Sequence, residues 1–139
     1  MSPTSAGYSG TPLVRKLGIR AGDRIALWDA PEGYWDLLGE IPEGSREAAP
    51  GDHEIEFSHV FATTVEGLVA GLDAARERMA SDGMVWLSWP KKASGVQTEL
   101  DGNEVRRLGL ESGLVDVKVC AVDETWSGLK FVIRVADRA

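Results

Sequence analysis

The C-terminal segment 115–135, VDVKVCAVDETWSGLKFVIRV, constrains the fold more than any other part of the chain. Apolar and polar residues alternate in two runs, which is typical of strands that each bury one face. The residues DETWSG join the runs, which predicts an antiparallel hairpin of strands at about 114–122 and 128–135. The apolar face is predicted to carry Val115, Val117, Val119, Ala121, Leu129, Phe131, Ile133 and Val135, and the polar face Asp116, Lys118, Cys120, Lys130 and Arg134.

Three strand–helix pairs precede this hairpin. Strands are predicted at 24–29, 56–63 and 84–89, each followed by a helical pattern, and a short helix opens at Thr11-Pro12. We therefore expect an α/β fold, a Rossmann-like open sheet of about five strands. Right-handed crossovers give the order 1-2-3-5-4 with strand 5 antiparallel, and the helices lie mainly on one face, apart from the short N-terminal helix.

The segment 65–80 predicts the longest helix. Leu68, Leu72, Ala75 and Met79 fall on one side of a 3.6-residue period. Thr63 and Glu66 form a capping-box pattern at its start.

Strands one and three are apolar on both faces, because Trp28 and Trp86 alternate with other apolar residues. The face opposite the crossover helices therefore needs a cover. We expect both the N-terminal helix and a second subunit to supply it, which predicts a homo-oligomer and favours a dimer.

The chain of 139 residues is predicted to form one α/β domain. Residues 1–11, rich in Ser, Gly and Pro, are expected to form a flexible N-terminal arm. Residues 40–54, EIPEGSREAAPGDHE, are expected to form an exposed acidic loop.

Charge and composition exclude some function classes. A net charge of −7 argues against nucleic acid and an anionic membrane surface as partners. No apolar run approaches the roughly 20 residues that span a bilayer. The N-terminus lacks a signal-peptide pattern, and the single cysteine, Cys120, forms no internal disulfide, so we expect a cytoplasmic protein.

The segment EVRRLGLESGLVDVKVCAVD resembles the closing helix and strand of class I methyltransferases. That resemblance implies a cofactor, bound on a Gly-rich loop after strand one and by an acidic residue that ends the next strand. The corresponding stretch here, LWDAPEGYW, has one glycine and two carboxylates, Asp29 and Glu32. We therefore expect no cofactor.

Four motifs resemble a bacterial family classed as a domain of unknown function (3052 type). They are GYSGTPLVRKLGI, APEGY, WPKKASG and GLVDVKVCAVDETWSGLKFV, and the resemblance spans nearly the whole chain except 40–54. It implies a fold and transfers no mechanism.

The predicted strand order brings two loops together at the carboxyl edge of the sheet, where ligands of open α/β sheets bind. The residues concerned are Lys91, Lys92 and Ser94 from one loop and Asp123, Glu124, Trp126 and Ser127 from the other. These are the candidate ligand-binding residues: lysines for an anionic group and Trp126 for a planar one. In the structural alternative, the carboxylates pair with the lysines and Trp126 plugs the hairpin end.

The remaining polar residues give weaker patterns. His53 and His59 would lie about 20 Å apart on one strand, so we expect no metal site. Cys120 has no histidine nearby in sequence to act as a base, which favours a half-buried small residue over a nucleophile.

We therefore expect a small non-catalytic protein that binds a ligand or associates with itself. Alternatively it is an enzyme for a small anionic substrate, held by Lys91 and Lys92, with Asp123 or Glu124 as general base.

Overall fold

The computed structural model describes residues 11–138. Within this range four α-helices and six β-strands follow one another along the chain: α1 (Leu13–Leu17), β1 (Arg24–Trp28), α2 (Tyr34–Leu38), β2 (Arg46–Glu47), β3 (Ile55–Phe61), α3 (Val65–Arg78), β4 (Met79–Pro90), α4 (Gly102–Glu111), β5 (Leu114–Ala121) and β6 (Trp126–Ile133). The predicted flexible arm lies outside the described residues, apart from Thr11.

The strands form one mixed sheet in the order β2-β1-β3-β4-β6-β5. β1, β2, β3 and β4 pair in parallel, and β6 is inserted antiparallel between β4 and β5. This arrangement confirms the predicted order 1-2-3-5-4. It adds an edge strand, β2, inside the segment expected to be an acidic loop.

Two apolar clusters lie on opposite faces of the sheet. On the α3–α4 face, buried side chains of both helices pack on the centre of the sheet: Leu68, Leu72, Ala75, Val105 and Leu108 against Val60, Val85, Leu87, Leu129 and Phe131. On the α1–α2 face, Leu13, Leu17, Tyr34 and Leu38 pack against Ile25, Phe57, Phe61 and Trp86. Trp86 Nε1 also donates a hydrogen bond of 2.8 Å to Leu17 O.

The two long helices share one face as predicted, whereas α2 lies on the other face with α1. The edge strand β2 explains this position. The crossover from β1 to β2 runs toward the opposite edge of the sheet from the crossover between β3 and β4. Two right-handed crossovers in opposite directions place their helices on opposite faces. The second apolar face is thus covered by two short helices, and self-association stays a prediction.

The predicted faces of β5 are wrong before a β-bulge and correct after it. Lys118 is opposite Lys130 and Asp116 is opposite Phe131, so Val117 is an extra residue in a β-bulge. Before the bulge, Val115 and Asp116 lie on the sides opposite to those predicted, whereas after it Val119, opposite Leu129, lies on the predicted side. The expected burial is nevertheless wrong there, because Val117 and Val119 are 51% and 67% exposed and Cys120 is buried.

Both predicted helix starts are displaced by one residue. α1 begins at Leu13, with Pro12 at the N-cap position. α3 is capped by Thr64, whose Oγ1 accepts a hydrogen bond of 3.0 Å from Gly67 N–H, and Thr63 lies outside the helix. The predicted apolar side of α3 is confirmed for Leu68, Leu72 and Ala75, and Met79 is the C-cap residue of the helix.

We expect Thr64→Ala to lower the free energy of unfolding by about 1 kcal/mol, because Gly67 N–H loses its acceptor. Urea unfolding measures the loss. Thr64→Ser keeps a hydroxyl and should cost only a fraction of this amount. Thr63→Ala leaves the cap in place, so a loss as large as that of Thr64→Ala would contradict the assignment.

No helix in residues 11–138 has the length and apolar character needed to cross a membrane.

Candidate functional site

The carboxyl end of β4 and the β5–β6 turn lie side by side. Trp89 is opposite Ser127, and Pro90 is opposite Trp126. Lys91 N–H continues the pairing with a hydrogen bond of 2.7 Å to Thr125 O. The two loops that the strand order brings together are therefore neighbours in the structure.

A cleft of about 710 Å³ opens at this edge of the sheet. Its walls are the end of β4, the segment 91–102 and one residue of the hairpin, Ser127. Trp89, Lys91 and Lys92 are among the lining residues, and Leu100 joins the cleft to the α3–α4 core. The volume is in the range of small-molecule sites.

The segment 91–102 is held in place at several points. Ser94 Oγ donates a hydrogen bond of 2.7 Å to Lys91 O and closes a 3₁₀ turn over Lys92–Ser94. Further along, Thr98 Oγ1 and Glu99 N–H both donate to Thr63 O, each at 2.8 Å. The outer wall of the cleft is therefore anchored to the start of α3. Ser94 acts here as a residue that shapes the loop.

Each of the two carboxylates that line the cleft caps the N-terminus of a helix, and the two lysines have no carboxylate partner. Glu99 Oε1 accepts from Val65 N–H at 2.9 Å, and Asp101 Oδ1 accepts from Glu104 N–H at 2.8 Å. Among residues 11–138, neither Lys91 nor Lys92 forms an ion pair. The cleft thus contains two cations whose charge is not neutralised by direct contact.

The hairpin carboxylates do not pair with these lysines, so this part of the structural alternative is wrong. Asp123 Oδ1 accepts hydrogen bonds from Thr125 N–H at 2.8 Å and Trp126 N–H at 2.7 Å. This arrangement is an Asx-type turn that fixes the connection between the strands, which spans residues 122–125 and is shorter than the predicted six residues. Glu124 is exposed at its tip.

Trp126 lies on the α1–α2 face, away from the cleft. Its ring meets Phe61 edge-on, with centroids 5.0 Å apart and planes at 88°. This contact fits the predicted structural plug. The aromatic residue of the cleft is Trp89, which lies on the other face. The alternation of faces along β4 and β6 was the signal in the sequence that separates the two tryptophans.

A buried polar network crosses β3 on the α1–α2 face. His59 Nδ1 lies 2.8 Å from Tyr34 Oη, and His59 Nε2 lies 2.8 Å from Ser88 Oγ. All three side chains are buried. Burial lowers the pKa of His59 to about 3 and raises the pKa of Tyr34, so both groups are neutral. His59 is therefore a satisfied core residue, held far from the surface.

Two further predicted features concern metal and thiol chemistry. The part of the chain that the structure describes contains no group of three or more His, Cys, Asp and Glu side chains arranged to hold a metal ion. Burial raises the pKa of the Cys120 thiol, although the charges of Lys16, Lys118 and Lys91 act in the opposite direction. Cys120 is therefore a buried thiol in the α1–α2 core.

The first β–α turn, at 29–33, is narrow and acidic. Asp29, directly after β1, adopts the left-handed conformation with φ of 57°. Gly33 precedes the five-residue helix α2, and Tyr34 at its start points into the core, 2% exposed. β2 ends with Glu47 opposite Ile25, three residues before the end of β1. No side chain of β2 therefore reaches the carboxyl edge beside this turn.

The fold is similar to those of solved methyltransferases. A SAM-dependent methyltransferase from Aquifex aeolicus has a TM-score of 0.61 and 11% identity, covering 86% of each chain. Fibrillarin from Aeropyrum pernix, in complex with natively bound S-adenosyl-L-methionine, has a TM-score of 0.60 and 14% identity over 91% of this chain and 70% of that chain. A TehB-like SAM-dependent methyltransferase from Corynebacterium glutamicum has a TM-score of 0.54 and 9% identity, covering 88% and 85%.

At these identities the similarity shows the fold alone. No protein-family model matches the chain, and no curated protein matches it significantly in sequence. The resemblance to class I methyltransferases thus fits the structural comparison. The resemblance to the bacterial family of unknown function stays a prediction.

Proposed function

We propose that this protein is a non-catalytic binding module built on a methyltransferase-like fold, and that it holds a small anionic ligand in the cleft beside β4. The observation that carries the proposal is the pair Lys91 and Lys92, which line a preformed cleft without a carboxylate partner. A ligand anion would supply the missing counter-charge.

The first β–α turn does not fit S-adenosylmethionine, the cofactor that the fold implies. A nucleoside at this edge needs a turn that lets the backbone approach closely and an acidic side chain at the end of the neighbouring strand. Here Asp29 occupies the turn, and Glu47 lies three residues below the edge. Tyr34 fills the space beneath the turn with a buried ring. These features support binding elsewhere on the sheet.

The cleft beside β4 is better suited to binding a ligand than the first β–α turn is. Its outer wall is anchored to Thr63 and Val65, so little ordering is needed when a ligand enters. Glu99 and Asp101 already accept hydrogen bonds from helix N-termini, which ties their negative charge to α3 and α4. Lys91 and Lys92 are then the groups left to contact an anion.

The second candidate is an enzyme for a small anionic substrate, and similarity to methyltransferases favours it. That reading uses the same lysines and needs a general base at the hairpin. Asp123 Oδ1 already accepts hydrogen bonds from two backbone N–H groups, and Asp123 is not among the residues that line the cleft. Turnover of a bound anion would favour this candidate over the binding module.

We expect calorimetry to detect binding of pyrophosphate to the full chain. The double variant Lys91→Ala/Lys92→Ala should weaken it by about 10-fold or more, equivalent to about 1.4 kcal/mol. Lys118→Ala/Lys130→Ala removes the same charge from the α1–α2 face and should change the affinity by less than about twofold. Equal losses in both variants would contradict the proposed site. Binding of S-adenosylmethionine would contradict the proposed loss of the cofactor site.

A further inference from the structure

Trp89 is the one aromatic side chain among the residues that line the cleft in the described part of the chain. It lies near the end of β4 and is only partly buried against the α3–α4 core. Its backbone pairs with Ser127 of β6, which also lines the cleft. The ring is therefore anchored in the sheet and borders the open volume.

The start of α4 fixes the position of this ring. A Cβ atom placed on Gly102 would lie 3.3 Å from Trp89 Cζ2, so the helix backbone rests against one edge of the indole. Asp101 holds this end of α4 by accepting from Glu104 N–H at 2.8 Å. An aromatic surface held between a sheet and a capped helix loses little freedom when a ligand stacks on it.

Trp89 and Lys91 both line the cleft and are two residues apart in the chain. The backbone remains extended at Lys91, which still pairs with Thr125. Residues two apart on an extended strand have Cα atoms about 7 Å apart. An aromatic ring that carries an anionic group spans a similar distance.

We infer that the cleft binds a ligand in which a planar aromatic ring carries a phosphate or carboxylate group. The ring stacks on Trp89, and the anionic group contacts Lys91 and Lys92. This inference rests on the proposed function, and it adds the chemical class of the ligand. It also transfers the stacking role from Trp126, which packs against Phe61 on the opposite face, to Trp89.

Calorimetry with four probes tests the inference: adenosine 5′-monophosphate, phenyl phosphate, adenosine and inorganic phosphate. The monophosphate should bind the full chain at least about 10-fold more tightly than adenosine or phosphate, because only it engages both the ring and the lysines. Phenyl phosphate tests whether the cleft recognises any aromatic ring or specifically a nucleobase. Affinity equal to that of the nucleotide indicates recognition of any aryl anion, and weaker affinity indicates a nucleobase.

Variants of the two tryptophans locate the ring. Trp89→Leu should weaken binding of the monophosphate by about 10-fold or more and leave binding of inorganic phosphate unchanged, since stacking on an aromatic side chain contributes about 1–3 kcal/mol per base. Trp89→Phe keeps an aromatic face and should retain most of the affinity. Trp126→Leu is the matched control and should leave both affinities unchanged. Thermal unfolding of each variant establishes that it is folded.

The failures of the two proposals are distinguishable. Binding of phosphate that depends on Lys91 and Lys92, with no gain for the aromatic anions, overturns the inference and retains the proposed function. Loss of affinity in Trp126→Leu but not in Trp89→Leu also overturns the inference. Absence of binding by every probe and by pyrophosphate overturns both.

Discussion

Gly109→Ala is expected to destabilise the protein by about 2–3 kcal/mol, although alanine is the better helix former. A Cβ atom on Gly109 would lie 2.8 Å from Cδ2 of Phe131 and closer still to Cε2 and Cζ. Phe131 is fully buried beneath α4, so its ring has no open space to enter. Overpacking typically costs about 1–3 kcal/mol, occasionally more. Alanine has a higher helix propensity than glycine by about 1 kcal/mol. This gain offsets only part of the overpacking cost, which we expect to reach or exceed the upper end of that range because the ring is enclosed.

Gly102→Ala is the matched control, because it makes the same change in the same helix. Its added Cβ would lie 3.3 Å from Trp89, at the partly open end of α4. We expect a change of less than about 1 kcal/mol in the free energy of unfolding. A double variant, Gly109→Ala/Phe131→Leu, removes the ring and should be less destabilised than the sum of its single changes. Urea unfolding measures the parent and the four variants, including Phe131→Leu alone, and a Gly109→Ala protein as stable as the parent would contradict this packing.

The close approach at Gly109 illustrates what the sequence does not reveal. The pattern of segment 103–113 predicts a helix, but it does not say which residue of β6 lies beneath each turn. That contact depends on the relative position of α4 and β6, which are separated along the chain by β5. The order of the strands was predictable, because the hairpin and right-handed crossovers leave few alternatives.

The local errors have a common physical origin. β2 consists of Arg46 and Glu47, both exposed, and two polar residues give no strand pattern. Its position nevertheless decides which face α2 covers. The bulge at Val117 similarly reverses the faces of β5 without any Gly or Pro to mark it. In both cases pairing between strands, which a local pattern does not contain, determines the outcome.

The candidate site was predictable as a neighbourhood but not in detail. The strand order correctly brought the loop after β4 next to the β5–β6 turn. It did not separate the two sides of the sheet, so Trp126 was predicted at the site, whereas Trp126 packs against Phe61 and the aromatic residue that lines the cleft is Trp89. The roles of Asp123 and Asp101 were also missed, because a capping carboxylate and an exposed carboxylate look alike in the sequence until the backbone N–H groups are placed.

The polar network in the core was hidden for a different reason. Tyr34, His59 and Ser88 come from three elements and are 25 and 29 residues apart in sequence. The histidine in the apolar strand β3 was a signal that buried partners must exist, since an unpaired polar group in a core is costly. Tyr34 and Ser88 supply them.

His59 is expected to make the protein markedly less stable in mild acid. Burial lowers its pKa to about 3 in the folded chain, against an ordinary value near 6.5. The unfolded chain therefore binds a proton as the pH falls below about 6.5, while the folded chain does not until about 3. The contribution of His59 to stability is complete above the higher pKa and declines through this window. Between pH 7.5 and 4.5 the loss amounts to about 3 kcal/mol.

His59→Gln isolates this contribution from that of the carboxylates. The variant should be less stable than the parent at pH 7.5, but the difference in its free energy of unfolding between pH 7.5 and 4.5 should be smaller by about 3 kcal/mol. Tyr34→Phe removes the hydroxyl that contacts His59 but leaves the imidazole of His59 in place. This variant should therefore lose stability and retain the steep pH dependence. Chemical unfolding at the two pH values measures each difference. An identical pH dependence in the parent and in His59→Gln would mean that the histidine is not kept neutral by burial, because its protonation would then no longer favour the unfolded chain.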